Sequence, residues 1–322
     1  MVKCYRTIFR FQYCCANIIS SIFVNSLTLS EFATRLRSGI KFNIGTFVFS
    51  LRTDISNVAA EIHSLYSEYS LLPPSTFSDF QIVLRRPYNL RRWLYPKVDF
   101  YFDGRKPFKP LPLRQAYAML EWGMNWCIAN HAHHYLILHS AVLEKNGKTI
   151  IFPAPQGSGK STLCAALAGK GWRLFSDELA LISLKNGELH PSTRPINLKN
   201  NSIKVIKEFI PESINSGLHL DTHKGTVSLF KPSKESVQSS KIAGQAHFVV
   251  FPKYEVGSPS CMKELDDSKS LPMLIENSFN YDVLGTEGFT AMCDLVNKVD
   301  CYEFSYSDLN DAIATFDKLI NE

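Results

Sequence analysis

Residues Ala154-Pro155-Gln156-Gly157-Ser158-Gly159-Lys160-Ser161-Thr162 have the types and order that hold a phosphate chain. Glycines at 157 and 159 let backbone N–H groups curl around an anion. A helix N-terminus directly after them adds roughly half a positive charge at the same spot. Lys160 is placed to reach β- and γ-phosphates, and the Ser161 hydroxyl to bind Mg²⁺. The pattern G-x-x-x-x-G-K-[ST] is broken at one position, where Ala154 replaces its first glycine. A turn that merely caps an ordinary helix would also be rich in Gly and Ser, but here lysine, hydroxyl and both glycines fall in register. Gly157, Ser158, Gly159, Lys160, Ser161 and Thr162 are therefore the expected nucleotide-binding residues, with ATP and Mg²⁺ as ligands.

A second set of residues has the chemistry to use such a ligand. Asp177-Glu178 closes the apolar run Trp172-Arg173-Leu174-Phe175. A carboxylate at the end of a strand there can hold Mg²⁺ or accept the proton of an incoming hydroxyl. Successive strand residues point to opposite faces, so the two carboxylates are expected to do different work. The expected metal ligands are Ser161, Asp177 and Glu178, and a solvated acidic turn is the alternative. His139 precedes the loop by one strand and reads two ways, as a neutral imidazole tuning the base or as a core histidine satisfied by a backbone group. Arg194 is suited to spreading transition-state charge over phosphoryl oxygens, with a surface turn as the competing reading. Asp177, His139 and Arg194 are thus the candidate catalytic residues. Lys224-Gly225-Thr226 is a weaker phosphate contact. His131, His133 and His134 have spacing that converges poorly on one ion and read as a helix end. The stretch Arg85–Trp93 interleaves arginine with aromatics, but such runs are more often solvated strand edges than nucleic-acid sites.

The elements that must position these residues can be read around them. Thr149–Phe152 is a buried strand entering the loop, and Leu163–Ala168 the helix leaving it. Leu136–Leu143 is a strand joined to the loop strand through Lys145-Asn146-Gly147-Lys148, and Asn-Gly between apolar runs is a hairpin signal. The loop strand is therefore expected to pair antiparallel with its predecessor. A second hairpin is expected at Leu179–Leu184, Lys185–Glu188 and Leu189. Upstream, Ser30 opens a helix, Phe42–Phe49 alternates as a strand, and Ile55–Tyr69 has helical spacing. Strands follow at Phe80–Leu84 and Val98–Phe102. A Pro-rich connector spans residues 106–112, and a long apolar helix Arg114–Ala132.

The bulk composition is that of a globular protein: 322 residues, 45% hydrophobic, 20% charged, net charge +5. The charge suits phosphate handling without arguing for nucleic acid. Eight cysteines show no C-x-x-C pair, which points away from a zinc ribbon or redox motif and towards reduced thiols. Lys3, Arg6 and Arg10 precede a charge-free run from Phe11 to Ser30 that superficially resembles a signal peptide. It is too polar for a bilayer span and reads as an atypical extension over residues 1–26. The expected location is cytoplasmic, where ATP is, with no membrane or nucleic-acid partner.

Taken together these residues resemble the HPr serine kinase/phosphorylase superfamily, which shares its core with ATP-dependent phosphoenolpyruvate carboxykinase, and within it the HprK-related kinase A family. The matching blocks are Phe80, Arg91-Arg92-Trp93, Pro107–Pro112, Glu121–Cys127 and His133–Ala141, followed by Gly171–Glu178 and Arg194–Asn200. Lys224–Thr226, Asn277–Asn280 and Tyr306–Leu309 match less distinctively. The resemblance covers roughly residues 27–318. It implies an α/β fold, a phosphate-loop kinase domain over residues 109–322 with a smaller N-terminal α+β domain over 27–108. It also implies an ATP-dependent serine kinase in which His139 assists Asp177 as base, Glu178 stands where a second aspartate is usual, and Arg194 lies near the transferred phosphate. The long glycine-rich segment with which HPr kinases contact HPr is not evident. A peptide or small-protein acceptor is implied instead, with a PqqD-like peptide chaperone as an associated partner and a homo-oligomer left open. A loop ATPase without phosphotransfer, a kinase of a small-molecule hydroxyl and a nucleotide-binding scaffold are the competing readings.

Overall fold

A computed structural model describes residues 22–88, 95–155 and 157–321. Most of the stretch 1–26, residues 89–93 of the basic run and Gln156 of the loop lie outside the described residues.

The first half is a mixed sheet made by alternation. β1 (Ile22–Phe23) comes first and pairs with a later strand, so the sheet begins inside the stretch read as an extension. Helix α1 (Leu29–Ser38) starts one residue earlier than Ser30 suggested. The Thr28 hydroxyl accepts from the Glu31 N–H and the Glu31 carboxylate accepts from the Thr28 N–H, a reciprocal cap that fixes the boundary. The single strand expected over 42–49 is two strands, β2 (Ile40–Ile44) and β3 (Phe47–Thr53), paired as a hairpin. Gly45 makes the turn at φ +60°, and a Cβ there would sit 1.7 Å from the Pro191 carbonyl oxygen. The alternation continues through the turn, which hides the break from a pattern reading.

Helix α2 (Ser56–Leu65) buries Val58, Ala59, Ile62 and Leu65. β4 (Ser70–Leu72), β5 (Phe80–Arg85), β6 (Lys97–Phe102) and β7 (Leu111–Pro112) complete the sheet in the order β1-β4-β2-β3-β5-β6-β7, with β3 and β5 parallel. Helix α3 (Ala116–His131) is apolar nearly all round, because it is covered on more than one side. Its Met119, Leu120, Met124 and Cys127 share a core with β2, β3 and β5 and also with Ile137 and Leu181 of the second half.

The second half is built on β8 (Tyr135–Lys145) and β9 (Lys148–Pro153), antiparallel as expected. Asn146 and Gly147 both take left-handed φ values of 54° and 76°, the conformation that a two-residue hairpin turn demands. After β9 come the loop, α4 (Lys160–Gly169), β10 (Arg173–Ser176), β11 (Leu179–Ser183) and β12 (Leu189–His190). β11 and β12 form the second expected hairpin. A small antiparallel sheet follows, from β13 (Ile196–Lys199), α5 (Asn201–Phe209), β14 (His219–Thr222) and β15 (Gly225–Phe230), with β15 central. The chain then runs through α6 (Lys234–Gln238), β16 (Ala246–Tyr254), β17 (Cys261–Leu265), α7 (Asp267–Glu276), α8 (Tyr281–Leu284), α9 (Thr286–Val296), β18 (Asp300–Tyr306) and α10 (Leu309–Leu319). The large sheet has the order β12-β11-β8-β9-β16-β18-β17, with β9, β16 and β18 mutually parallel. The protein is thus mixed α/β with several mixed sheets.

Along β8 the odd-numbered side chains cross from one core to another. Tyr135 and Ile137 belong to the core shared with the first sheet, whereas Ala141 and Leu143 belong to the core under α4. His139 stands between them, at the seam. Among the described residues no helix is long and apolar enough to cross a membrane.

Candidate active site

The loop lies where the parallel strands end. β9 runs into it, and the ends of β16 and β18 hold it down: the Tyr254 N–H donates to the Ser158 carbonyl at 2.9 Å and the Tyr306 hydroxyl to the Gly159 carbonyl at 3.1 Å. Gly159 has φ +88°, and a Cβ there would come within 2.6 Å of the Tyr306 hydroxyl and 2.8 Å of Tyr254 Cβ. Only glycine meets both conditions. Lys160 then opens α4, whose remaining first-turn residues are Ser161 and Thr162.

A cavity of about 570 Å³ opens over the loop, within the range of small-molecule sites. Gly157, Ser158, Gly159, Lys160, Ser161 and Thr162 line it together with His139, Glu178, Lys199 and Lys224. Three lysines thus converge from α4, β13 and the turn before β15. The weakly read Lys224 belongs to the site, with its Nζ 3.9 Å from Glu178 Oε1.

Lys160 is only 7% exposed, and its Nζ donates to the His139 carbonyl at 3.4 Å. Burial pushes its pKa down to about 8, against the pull of Asp177 and Glu178. His139 packs against the Phe279 ring, and burial together with the Lys160 charge holds its imidazole down to about 4. It is therefore neutral at physiological pH.

The two carboxylates lie in the bend between β10 and β11, on neither strand, and differ in their surroundings. Asp177 Oδ2 accepts from the Asn197 N–H at 3.0 Å and lies 3.5 Å from the Ser161 hydroxyl, while Oδ1 is buried without a hydrogen-bond partner. Burial and the neighbouring Glu178 charge raise the Asp177 pKa above the ordinary carboxylate value. Burial pushes the Glu178 carboxyl up too, but Lys224, Lys199 and Arg194 together carry it below its ordinary value. Glu178 accepts from Asn125 Nδ2 on α3.

Arg194 lies behind the carboxylates, not on the loop cavity. It is 6% exposed, donates to the Glu121 carbonyl at 3.1 Å, pairs with Glu121 Oε2 at 3.3 Å and donates to Asn125 Oδ1. The Tyr66 hydroxyl donates to Glu121 Oε1 at 2.7 Å, and the Tyr69 hydroxyl to the Thr193 carbonyl at 2.9 Å. The first half therefore reaches the site through the turn after α2 and through α3. His131 stacks on Phe102 and does not enter the loop cavity.

The donor set fits Mg²⁺: Ser161 Oγ and Asp177 Oδ2, 3.5 Å apart, are hard ligands, and this ion commonly takes only one or two carboxylates beside substrate phosphates. Among the described residues no group of three or more His, Cys, Asp or Glu side chains is arranged to hold a metal unaided. Glu121 and Asn125 entered the sequence reading only inside the block Glu121–Cys127 and were given no site role, although an i, i+4 polar pair inside an apolar helix is a visible signal. Tyr254 carried no signal beyond ending an apolar strand, and Tyr306 was named only within the less distinctive block Tyr306–Leu309. Comparison of the chain with protein-family models and with curated proteins returned no match.

Proposed function

We propose that the chain is an ATP-dependent phosphotransferase of HPr-serine-kinase type, acting on a hydroxyl of a peptide or small protein. The observation that carries this reading is the pair of adjacent carboxylates beside a phosphate loop, one raised and one lowered by its surroundings. Opposed shifts in neighbouring groups separate a proton acceptor from a permanent charge. The antiparallel pairing of β8 with the loop strand β9, with the His139 carbonyl accepting from Lys160, supports the same family resemblance.

In this reading the loop N–H groups and Lys160 bind the phosphate chain, while Lys199 and Lys224 add charge across the cavity. Bound Mg²⁺, held by Ser161 and Asp177, supplies charge neutralisation at the transferred group. Asp177 takes the proton of the acceptor hydroxyl as its oxygen bonds to the γ-phosphorus and the bridging P–O bond breaks, releasing ADP. Neutral His139 orients the acceptor side without changing charge. A PqqD-like chaperone that presents the acceptor peptide belongs to the same reading.

The test is transfer of γ-labelled phosphate by the purified full chain into a lysate of its own cell, followed by mass spectrometry of the labelled species. Acid-stable label on serine or threonine, lost in Lys160→Ala, is expected. Label only in free phosphate would make the protein an ATPase, and label confined to a metabolite would remove the peptide acceptor.

A further inference from the structure

Behind the two carboxylates lies a second, much smaller chamber of about 20 Å³ that includes Asp177, Ser192, Arg194 and Asn197 in its lining. Each of these four residues brings a buried polar atom without a hydrogen-bond partner: Asp177 Oδ1, Ser192 Oγ, Arg194 Nε and Asn197 Oδ1. Four such atoms around one cavity are unusual, because buried polar groups are almost always satisfied. The volume is about that of one water probe sphere, the minimum for a bound water. The inventory also matches one water. Arg194 Nε and Ser192 Oγ donate, and Asp177 Oδ1 and Asn197 Oδ1 accept, which gives two bonds in and two bonds out. An anion is excluded by Asp177, Glu121 and Glu178, all in the wall, and the Arg194 guanidinium opposes a cation.

We propose that this chamber binds a single ordered water joining Arg194 and Ser192 to Asp177 and Asn197, and that Arg194 is a positioning residue for both carboxylates. It reaches Asp177 through the water and Glu178 through Asn125, which accepts from Arg194 and donates to Glu178. The guanidinium is itself fixed from behind by Glu121, which the Tyr66 hydroxyl holds in turn. The inference rests on the reading of Asp177 as the acceptor of the hydroxyl proton. It differs from that reading over Arg194, which then acts from behind the carboxylates and does not touch the phosphate.

Two measurements on the full chain test it. A crystal structure fine enough to show ordered solvent should contain one spherical peak within hydrogen-bond distance of all four atoms. An empty chamber, a direct Arg194–Asp177 contact or a metal peak would overturn the water site. This readout needs no activity, so it stands even if the protein proves not to be a kinase. For the positioning role, Arg194→Lys keeps the charge beside Glu121 but lacks Nε. It should lower kcat roughly tenfold or more with nucleotide Kd within about twofold, since misplacing a reacting group costs rate and not binding. Asn125→Ala combined with Arg194→Lys should lose less than the sum of the two single losses, because both break one chain of contacts. Strictly additive losses would show that Arg194 acts independently of Asn125 and would overturn the positioning role. Should Arg194→Lys fail to fold, Ser192→Ala serves the same test: it removes one of the four bonds, and an unchanged kcat together with a chamber lacking the water would sink the proposal.

Discussion

The loop cavity and the rear chamber share Glu178 and Asn197 in their walls, yet they are opposite in character. On the cavity side Lys160, Lys199 and Lys224 line one open space, with Glu178 3.9 Å from Lys224 as the carboxylate among them. On the chamber side Arg194, Glu121, Asn125 and Tyr66 answer one another, and the guanidinium is nearly sealed from solvent. The difference separates two jobs often assigned together. Lys160 and Arg194 are almost equally buried, at 7% and 6% exposed, but Lys160 donates to a backbone carbonyl on the wall of an open cavity, whereas Arg194 is ion-paired with Glu121 away from it. Residue type alone does not tell them apart, since arginine and lysine both suit phosphate.

If the chamber is a support, the largest effect should appear in stability. Glu121→Ala leaves Arg194 buried and unpaired and should destabilise the fold by about 3–5 kcal/mol. Denaturant melts of the purified variant measure this, and a loss below about 1 kcal/mol would mean that the pair is not structural. Asp177→Asn keeps the shape of the wall but removes the proton acceptor. Phosphotransfer should fall at least ~100-fold, about 2.7 kcal/mol, while nucleotide binding by calorimetry changes little. Normal transfer in that variant would put the base elsewhere.

Lys160→Ala tests the open side. Nucleotide affinity should drop at least about tenfold, or 1.4 kcal/mol, with the melting temperature little changed. The same residue predicts a pH dependence. With a pKa of about 8 in the free protein, Lys160 is charged below that value, and a phosphate chain favours the charged form. Affinity should therefore weaken as pH rises through 8, and Lys160→Arg, charged throughout, should flatten the curve. The smallest effect is expected at the seam. His139 stays neutral down to about pH 4, so His139→Ala should cost a few-fold in rate without moving the rate profile between pH 5 and 8. A shifted acid limb would show that its imidazole titrates during turnover.

Much of the cavity side was legible in the sequence, because its signals are local. Lysine, hydroxyl and glycines lie within one loop, the Asn146-Gly147 turn declares its hairpin, and Asp177 closes an apolar run. The rear chamber was not legible, because its members come from residues 66, 121, 125 and 194 and meet only through tertiary packing. Arg194 was found, but sequence gave no means to say which way it faces. Strand boundaries failed for a local reason at Gly45, where alternation runs through a hairpin turn. The start of α1 was missed because the reciprocal cap is made by Thr28 and Glu31, which flank Ser30.

The Tyr69 hydroxyl meets the Thr193 carbonyl across 124 residues of chain. Such a contact closes a long loop, whose entropy must be spent before the bond returns anything. Local pieces such as the β8–β9 hairpin form early on this view, and the support behind the carboxylates forms late. A partly folded chain would then have its phosphate loop before it had a fixed base. Binding competence should precede transfer competence during refolding, and a nucleotide present from the start should favour the loop without hastening the final step.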